Sequence, residues 1–388
     1  MDTLDQTTTI SQLRNLYSEQ GQSPWLDNIR RNLITSGDLQ SLIDRGIRGV
    51  TANPATFEKA ITGSAEYDVA LRDLVRDDAS PSQIYEALIV DDIRMAADVF
   101  RPLYEQSDGI DGWVSIEVSP KLSGDTQGTI EEARRLHRAV NRPNIFVKVP
   151  ATDEGIPAIR QLLAEGININ ITLIFSIDVY DRVTDAYLDA LEQRVTQGKP
   201  VTRLASVASF FVSRVDTEVD TRLGRLIEAE HDAKRRRELE GCLGKAAIAN
   251  ARIAYDHFQT RFSSDRFARL QEQGARLQRP LWASTGTKNP SYRDVLYVEE
   301  LIGPDTVNTM PPTTIDAFQD HGRLERMIDA DPDGAYAAIA ALELIGISMQ
   351  SVTETLLTDG IRQFSEAFDR LEAVIHRKRE AIIAEIKV

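Results

Sequence analysis

The chain spends a single cysteine, Cys242, over 388 residues. One thiol cannot close an internal disulfide or build a thiolate metal cluster, and such usage is expected of a protein in a reducing cytoplasm. Cys242 sits in a charged segment with helical spacing and no histidine beside it, so it reads as a structural thiol. Histidine is also scarce. None of His137, His231, His257, His321 and His376 closes an apolar run, and no ligand spacing points to a metal. Basic charge is in deficit: 45 Lys and Arg against 60 Asp and Glu leave a formal net charge of -15, which excludes the basic footprint that nucleic acid requires. The one basic cluster, 234–240, carries its own Glu238 and Glu240 and reads as the solvated face of a helix. Long hydrophobic runs are missing as well. The most apolar stretch, 335–349, is short and holds Glu343, so a buried helix is expected there rather than a membrane span. Residues 1–8 have neither the basic flank nor the apolar core of a leader, so no export signal is expected.

What the chain does have is a rhythm. Short apolar runs bounded by turn residues fall at 24–29, 49–53, 112–118, 144–149, 167–174, 203–211, 280–285 and 306–310, each short enough for a strand buried on both faces. Between them the apolar spacing turns helical, as in 130–140 and 179–191. Eight strands alternating with helices predict an α/β protein built as a single (β/α)8 barrel over 1–388, with a doubly wound open sheet as the competing architecture. Two regions exceed what a minimal barrel needs. The charged, helical segment 222–279 reads as an insertion after strand six, and 335–388 reads as a C-terminal helical extension. The added length has two uses that the sequence leaves open: covering a barrel mouth, or forming the interface of a homodimer.

Lys148 breaks the fourth run, NIFVKVP, at 144–150. Burial disfavours an ammonium group, and a buried amine is the usual source of imines with carbonyl substrates; the plainer reading is a structural lysine snorkelling or paired with an internal acid. The other runs weigh on that choice. In a (β/α)8 barrel chemistry gathers at the C-terminal strand ends. There the runs carry Asp27, Thr51 and Asn53, Glu117, Asn170 and Thr172, Ser209 with Arg214 shortly after, and Ser284 followed by Lys288. Each alone has a dull explanation as a cap, a turn residue or a polar layer. Together, a lysine, two acids and several amides and hydroxyls at one mouth make the inventory for carbonyl chemistry through an imine.

Four segments resemble one family. GVTANPATF at 49–57 is similar to the transaldolase signature around its second strand, NIFVKVPAT at 144–152 to the strand bearing its Schiff-base lysine, and ININITLIFS at 167–176 to the strand after it. The likeness runs from about Trp25 into the C-terminal helices, and LWASTGTKN at 281–289 together with the long segment after strand six resembles the longer bacterial branch. Two segments depart from the common pattern. ASFFVSR at 208–214 replaces the more usual SPFVGR, and Gly286 then Lys288 stand where shorter members carry a second phosphate-binding arginine.

The resemblance implies a transaldolase of the non-oxidative pentose phosphate pathway. It would move a dihydroxyacetone unit from sedoheptulose 7-phosphate or fructose 6-phosphate to glyceraldehyde 3-phosphate or erythrose 4-phosphate. Lys148 would form the imine, Asp27 would act as general base at the C4 hydroxyl, and Glu117 would handle proton transfers of imine formation through a water. Asn53 and Asn170 would hold the dihydroxyacetone portion, with Thr172 positioning the water and Thr51 supporting that network. Arg214 would bind the terminal phosphate beside Ser209 and Ser284, completed either by Lys288 or by backbone N–H groups near Gly286. The partners implied are sugar phosphates, and since the lysine supplies the electron sink, neither metal nor organic cofactor is expected. Fructose 6-phosphate aldolases share the fold and the lysine but carry glutamine at Glu117 and tyrosine at Phe211, and are shorter. A catalytically silent binding barrel is the remaining rival; retaining Asp27, Glu117 and Lys148 together argues against it.

Overall fold

The computed structural model describes residues 11–386; the stretch read above for a leader lies outside them. Eight parallel strands, β1 Gln22–Asp27, β2 Gly49–Thr51, β3 Trp113–Glu117, β4 Ile145–Pro150, β5 Ile169–Ile174, β6 Ser206–Phe211, β7 Arg279–Ala283 and β8 Thr306–Met310, pair in chain order. β8 returns to pair with β1, so the sheet is a closed (β/α)8 barrel and not an open doubly wound sheet. Every run read from the sequence holds one strand. Along β4, β5, β6 and β8 each residue is buried, because helices cover the outside while side chains fill the inside.

The floor of that interior is aromatic. Phe146 stacks on Trp113 with ring centroids 4.3 Å apart and lies 6.1 Å from Trp25. β2 passes Trp25 only because it opens on Gly49, where a Cβ would stand 2.5 Å from the indole. At the N-terminal end of the barrel, Asp111 is fully buried between Arg48 (2.6 Å) and Arg279 (3.1 Å). Burial alone would raise the Asp111 carboxyl, but the two guanidinium groups outweigh it and hold it below the ordinary value. This end is closed by a structural ion cluster, which leaves the opposite end for chemistry.

The added segments differ in detail from their sequence reading. Position 222 falls inside helix Ser213–Ala229, so the material beyond it comprises helices Ala233–Glu240, Ala246–Phe262 and Asp265–Gln271. The basic cluster lies on Ala233–Glu240, which buries only Leu239. Cys242 occupies the turn after that helix rather than a helix, with Sγ against the Glu238 carbonyl oxygen. The stretch 335–349 is not a buried helix. Helix Pro332–Leu344 ends inside it and buries only Ala335 and Leu342, leaving Leu344 86% exposed, since it leans on helix Ala246–Phe262 by a narrow alanine edge. Among the described residues no single helix is long and apolar enough to cross a membrane.

The chain closes with the 38-residue helix Met349–Ile386. Its buried residues, Val352, Leu356, Gly360, Phe364, Phe368, Leu371 and Ile375, recur every three or four positions and form one stripe. Ion pairs from Lys121 to Glu372 (2.9 Å), Arg370 to Glu58 (2.8 Å) and Lys378 to Asp68 (3.0 Å) join that stripe to segments following β3 and β2. The helix is thereby laid along the C-terminal rim of the barrel and covers part of its mouth.

Candidate active site

Parallel pairing in register puts the chemistry-bearing residues side by side. Glu117 is the cross-strand partner of Lys148, Lys148 of Asn170, and Asp27 of Thr51. Above the aromatic floor they form a polar layer spanning β1 to β5. Lys148 and Glu117 are buried with 6% and 8% of their side chains exposed, and Nζ lies 3.4 Å from Oε2. Nζ also donates to the Ala52 carbonyl oxygen at 3.4 Å. Burial pushes the Glu117 carboxyl up to about 7, with the charge of Lys148 pulling it back down and that of Asp27 adding to the rise. Asp27 is raised too, by loss of hydration first, against the opposing charges of Lys148, Lys288 and Arg214 and the Thr51 hydroxyl, which donates to Oδ1 at 3.1 Å. Two carboxyls beside one amine, each held above its ordinary value, are equipped to give and take protons, Glu117 near neutrality.

The amides and hydroxyls are fixed from behind. The Asn170 amide donates to Ser115 Oγ at 3.1 Å and accepts from the Ser209 hydroxyl at 2.6 Å. Ser209 is thus engaged as the residue that orients Asn170. Asn53 opens helix Pro54–Thr62 as its N-cap, with Oδ1 accepting from the Thr56 backbone N–H, which turns its NH2 group toward the mouth. Thr51 shares a 2.7 Å hydrogen bond with Thr309 on β8. β5 loses register after Ile171, and Leu173 adopts φ +59°, a left-handed conformation unfavourable for leucine by about 1–2 kcal/mol. At this irregularity Thr172 Oγ1 is buried without a protein partner, and Glu117 Oε2 has only the Lys148 ammonium 3.4 Å away, so both oxygens have room to accept from a water or a substrate hydroxyl.

A cavity of about 980 Å³ opens over this layer. Asp27, Thr51, Asn53, Lys148 and Thr172 form one side of it. Ser209, Phe211, Arg214, Ser284 and Lys288 form another, while Glu117 and Asn170, flanking Lys148 in the same layer, do not line it. Arg214 stands in the first turn of helix Ser213–Ala229 and stacks over Phe211 at 5.3 Å. Burial lowers its pKa, but a guanidinium remains charged, and the helix N-terminus adds positive potential. Ser284, at φ +58°, shares a 3.0 Å hydrogen bond with Ser213, and Lys288 reaches past Gly286 to the same wall. Arg214, Lys288 and the N-terminus of helix Ser213–Ala229 make an anion pole at one side of the amine. Among the described residues no group of three or more His, Cys, Asp or Glu side chains is placed to hold a metal ion.

Sequence reading missed three contributors. Thr309 lay within a recognised run but was not singled out, and the Ala52 carbonyl is backbone. Phe364 is the third: its ring centroid lies 5.8 Å from Lys148 Nζ and it lines the cavity from the C-terminal helix. The apolar stripe marks Phe364 as buried, but nothing local says that its helix crosses the mouth.

Comparison with known proteins agrees with this geometry. The family model described as Transaldolase/Fructose-6-phosphate aldolase matches residues 24–375. A transaldolase of Acidothermus cellulolyticus is 48% identical over 94% of this chain and 96% of its own length. One of Trichodesmium erythraeum is 45% identical over the same shares, and one of Thermobifida fusca is 48% identical over 91% of this chain and 95% of its own. With a closed barrel, a family model that matches nearly the whole chain and relatives at this identity over almost their full length, the chain belongs to the transaldolase/fructose-6-phosphate aldolase family.

Proposed function

We propose that this protein is a transaldolase whose Lys148 holds a three-carbon unit as an imine between a donor ketose phosphate and an acceptor aldose phosphate. The observation that carries the reading is the buried Lys148–Glu117 pair at 3.4 Å beneath a mouth whose far wall presents Arg214 and Lys288. The Lys148 amine adds to the ketone carbon of fructose 6-phosphate or sedoheptulose 7-phosphate. Glu117 protonates the departing hydroxyl, which leaves as water, and the protonated imine forms. Asp27 takes the C4 hydroxyl proton, the C3–C4 bond breaks, and its electron pair passes into the imine, leaving an enamine on Lys148 and releasing an aldose phosphate. A second aldose phosphate accepts the enamine carbon at its aldehyde, Asp27 returns the proton, and hydrolysis frees the product and the lysine.

Asn53 and Asn170 are read as holding the hydroxyls of the three-carbon unit, and Thr172 as placing the water that Glu117 works through. Arg214, with Ser284 and Lys288, is read as holding the terminal phosphate, which fixes the sugar's length against the amine. A cytoplasmic setting fits the single cysteine, and a homodimer remains a use for the exposed faces of the added helices. The reading is tested by supplying fructose 6-phosphate with and without erythrose 4-phosphate. Formation of sedoheptulose 7-phosphate that depends on the acceptor is expected; release of free dihydroxyacetone at the same rate without acceptor would instead indicate an aldolase.

A further inference from the structure

Every aldol enzyme that holds an enamine on lysine faces a partition. The enamine carbon can add to an aldehyde, or it can take a proton and leave the C2 iminium open to water, whose addition expels the amine and releases dihydroxyacetone. Transfer prevails only where water is kept from both carbons. Asp27, Glu117 and the anion pole are polar and hold water; they cannot supply that exclusion.

The apolar cover comes from the C-terminal helix. Phe364 is 6% exposed, and its ring centroid lies 5.8 Å from Lys148 Nζ. The same ring borders two spaces: the large mouth, and behind it a void of about 10 Å³ lined by Glu117, Pro150 and Leu173, which has room for about one water. It therefore separates bulk solvent in the mouth from the water-sized space at Glu117. The approach of the helix is keyed in place one turn earlier. A Cβ at Gly360 would stand 3.0 Å from Leu173 Cδ2 and 3.7 Å from Arg214 Nη1, so glycine lets the helix settle on the irregular end of β5 without displacing the Leu173 side chain. Leu173 is the residue held at φ +59°. Gly360, Leu173 and Phe364 form one keyed contact whose outcome is an aromatic face against the reacting nitrogen.

We infer that Phe364 is a specificity-determining residue: it shields the Lys148-bound three-carbon unit from water and sets how often that unit passes to an aldose phosphate rather than being released. The inference rests on the transaldolase reading and concerns the fate of the intermediate rather than its formation. An aromatic ring suits the place, since its face also favours a cationic imine nitrogen while offering no proton.

The test compares wild type, Phe364→Ala and Phe364→Val with fructose 6-phosphate and erythrose 4-phosphate, measuring free dihydroxyacetone and sedoheptulose 7-phosphate in the same reaction. Phe364→Ala is expected to raise the ratio of release to transfer about tenfold. Phe364→Val, which retains a buried branched side chain, should raise it by a smaller factor and keeps the test open should the alanine variant not fold. A role in stability alone would lower both products together and leave the ratio unchanged, and an unchanged ratio in a folded variant overturns the inference. Absence of transfer in the wild type would instead overturn the reading on which it rests.

Discussion

Lys148, Glu117 and Asp27 lie within one layer, yet the geometry divides their work. Asp27 lies on β1 and is not the ion-pair partner of Lys148, and in the proposed mechanism it serves C3–C4 cleavage rather than imine formation. Asp27→Asn should therefore still form the imine but stall before cleavage, with kcat lower by about 100-fold or more. Borohydride would then trap the intact six-carbon sugar phosphate on Lys148; a three-carbon adduct would show that another group serves as base. Glu117 makes a prediction about pH. Its proton is held more tightly in the folded protein, at about 7, than in the unfolded chain, near 4.5. The stability this contributes is complete below about 4.5 and is lost as pH rises through about 7, on the order of 3 kcal/mol across the span. Glu117→Gln cannot titrate, so its thermal melts between pH 4.5 and 8 should lack that part of the decline. Melts falling in parallel with those of wild type would remove the raised carboxyl from the account.

Among the elements, the strands decide where the side chains meet. β2 is only three residues long, and it delivers Thr51 to Asp27 because Gly49 lets it pass the Trp25 ring. Gly49→Ala places a Cβ at 2.5 Å from that ring and forces either the floor or the strand to move. A loss of about 1–3 kcal/mol in unfolding free energy is expected, read from denaturant titration, together with weakened catalysis as Thr51 shifts. An unchanged midpoint would mean that the floor is softer than its close packing implies. The strands were legible in sequence because a barrel strand is buried on both faces, and a lone Asp, Glu or Lys at its end has nothing to hide behind. Helix placement was less legible. The stretch 335–349 is apolar enough to read as buried, but its alanines need little area to pack, so helix Pro332–Leu344 lies on the surface with Leu344 outward. The boundary at 222 was read from charge, and charge does not mark where helix Ser213–Ala229 ends.

At the scale of the whole molecule, a chain with net charge -15 concentrates Arg214, Lys288 and a helix N-terminus at one pole of the mouth, and in the proposed function this pole draws anionic sugar phosphates in against the net charge. The two ends of the barrel divide the labour: Arg48, Asp111 and Arg279 close the N-terminal end, while the C-terminal end stays open over Lys148 and is partly roofed by the last helix. That roof is the part the sequence did not specify, because contact between Phe364 and Lys148 joins residues 216 positions apart through the path of a whole helix. That these polar residues meet was legible because each was read at a strand end and the barrel fixes where strand ends go. Peptide mass spectrometry after incubation with fructose 6-phosphate and borohydride shows whether this layer performs imine chemistry on Lys148. A reduced dihydroxyacetone adduct is expected on the peptide containing Lys148, with none in Lys148→Ala. An adduct on a different lysine, or none on the wild type, would contradict that chemistry.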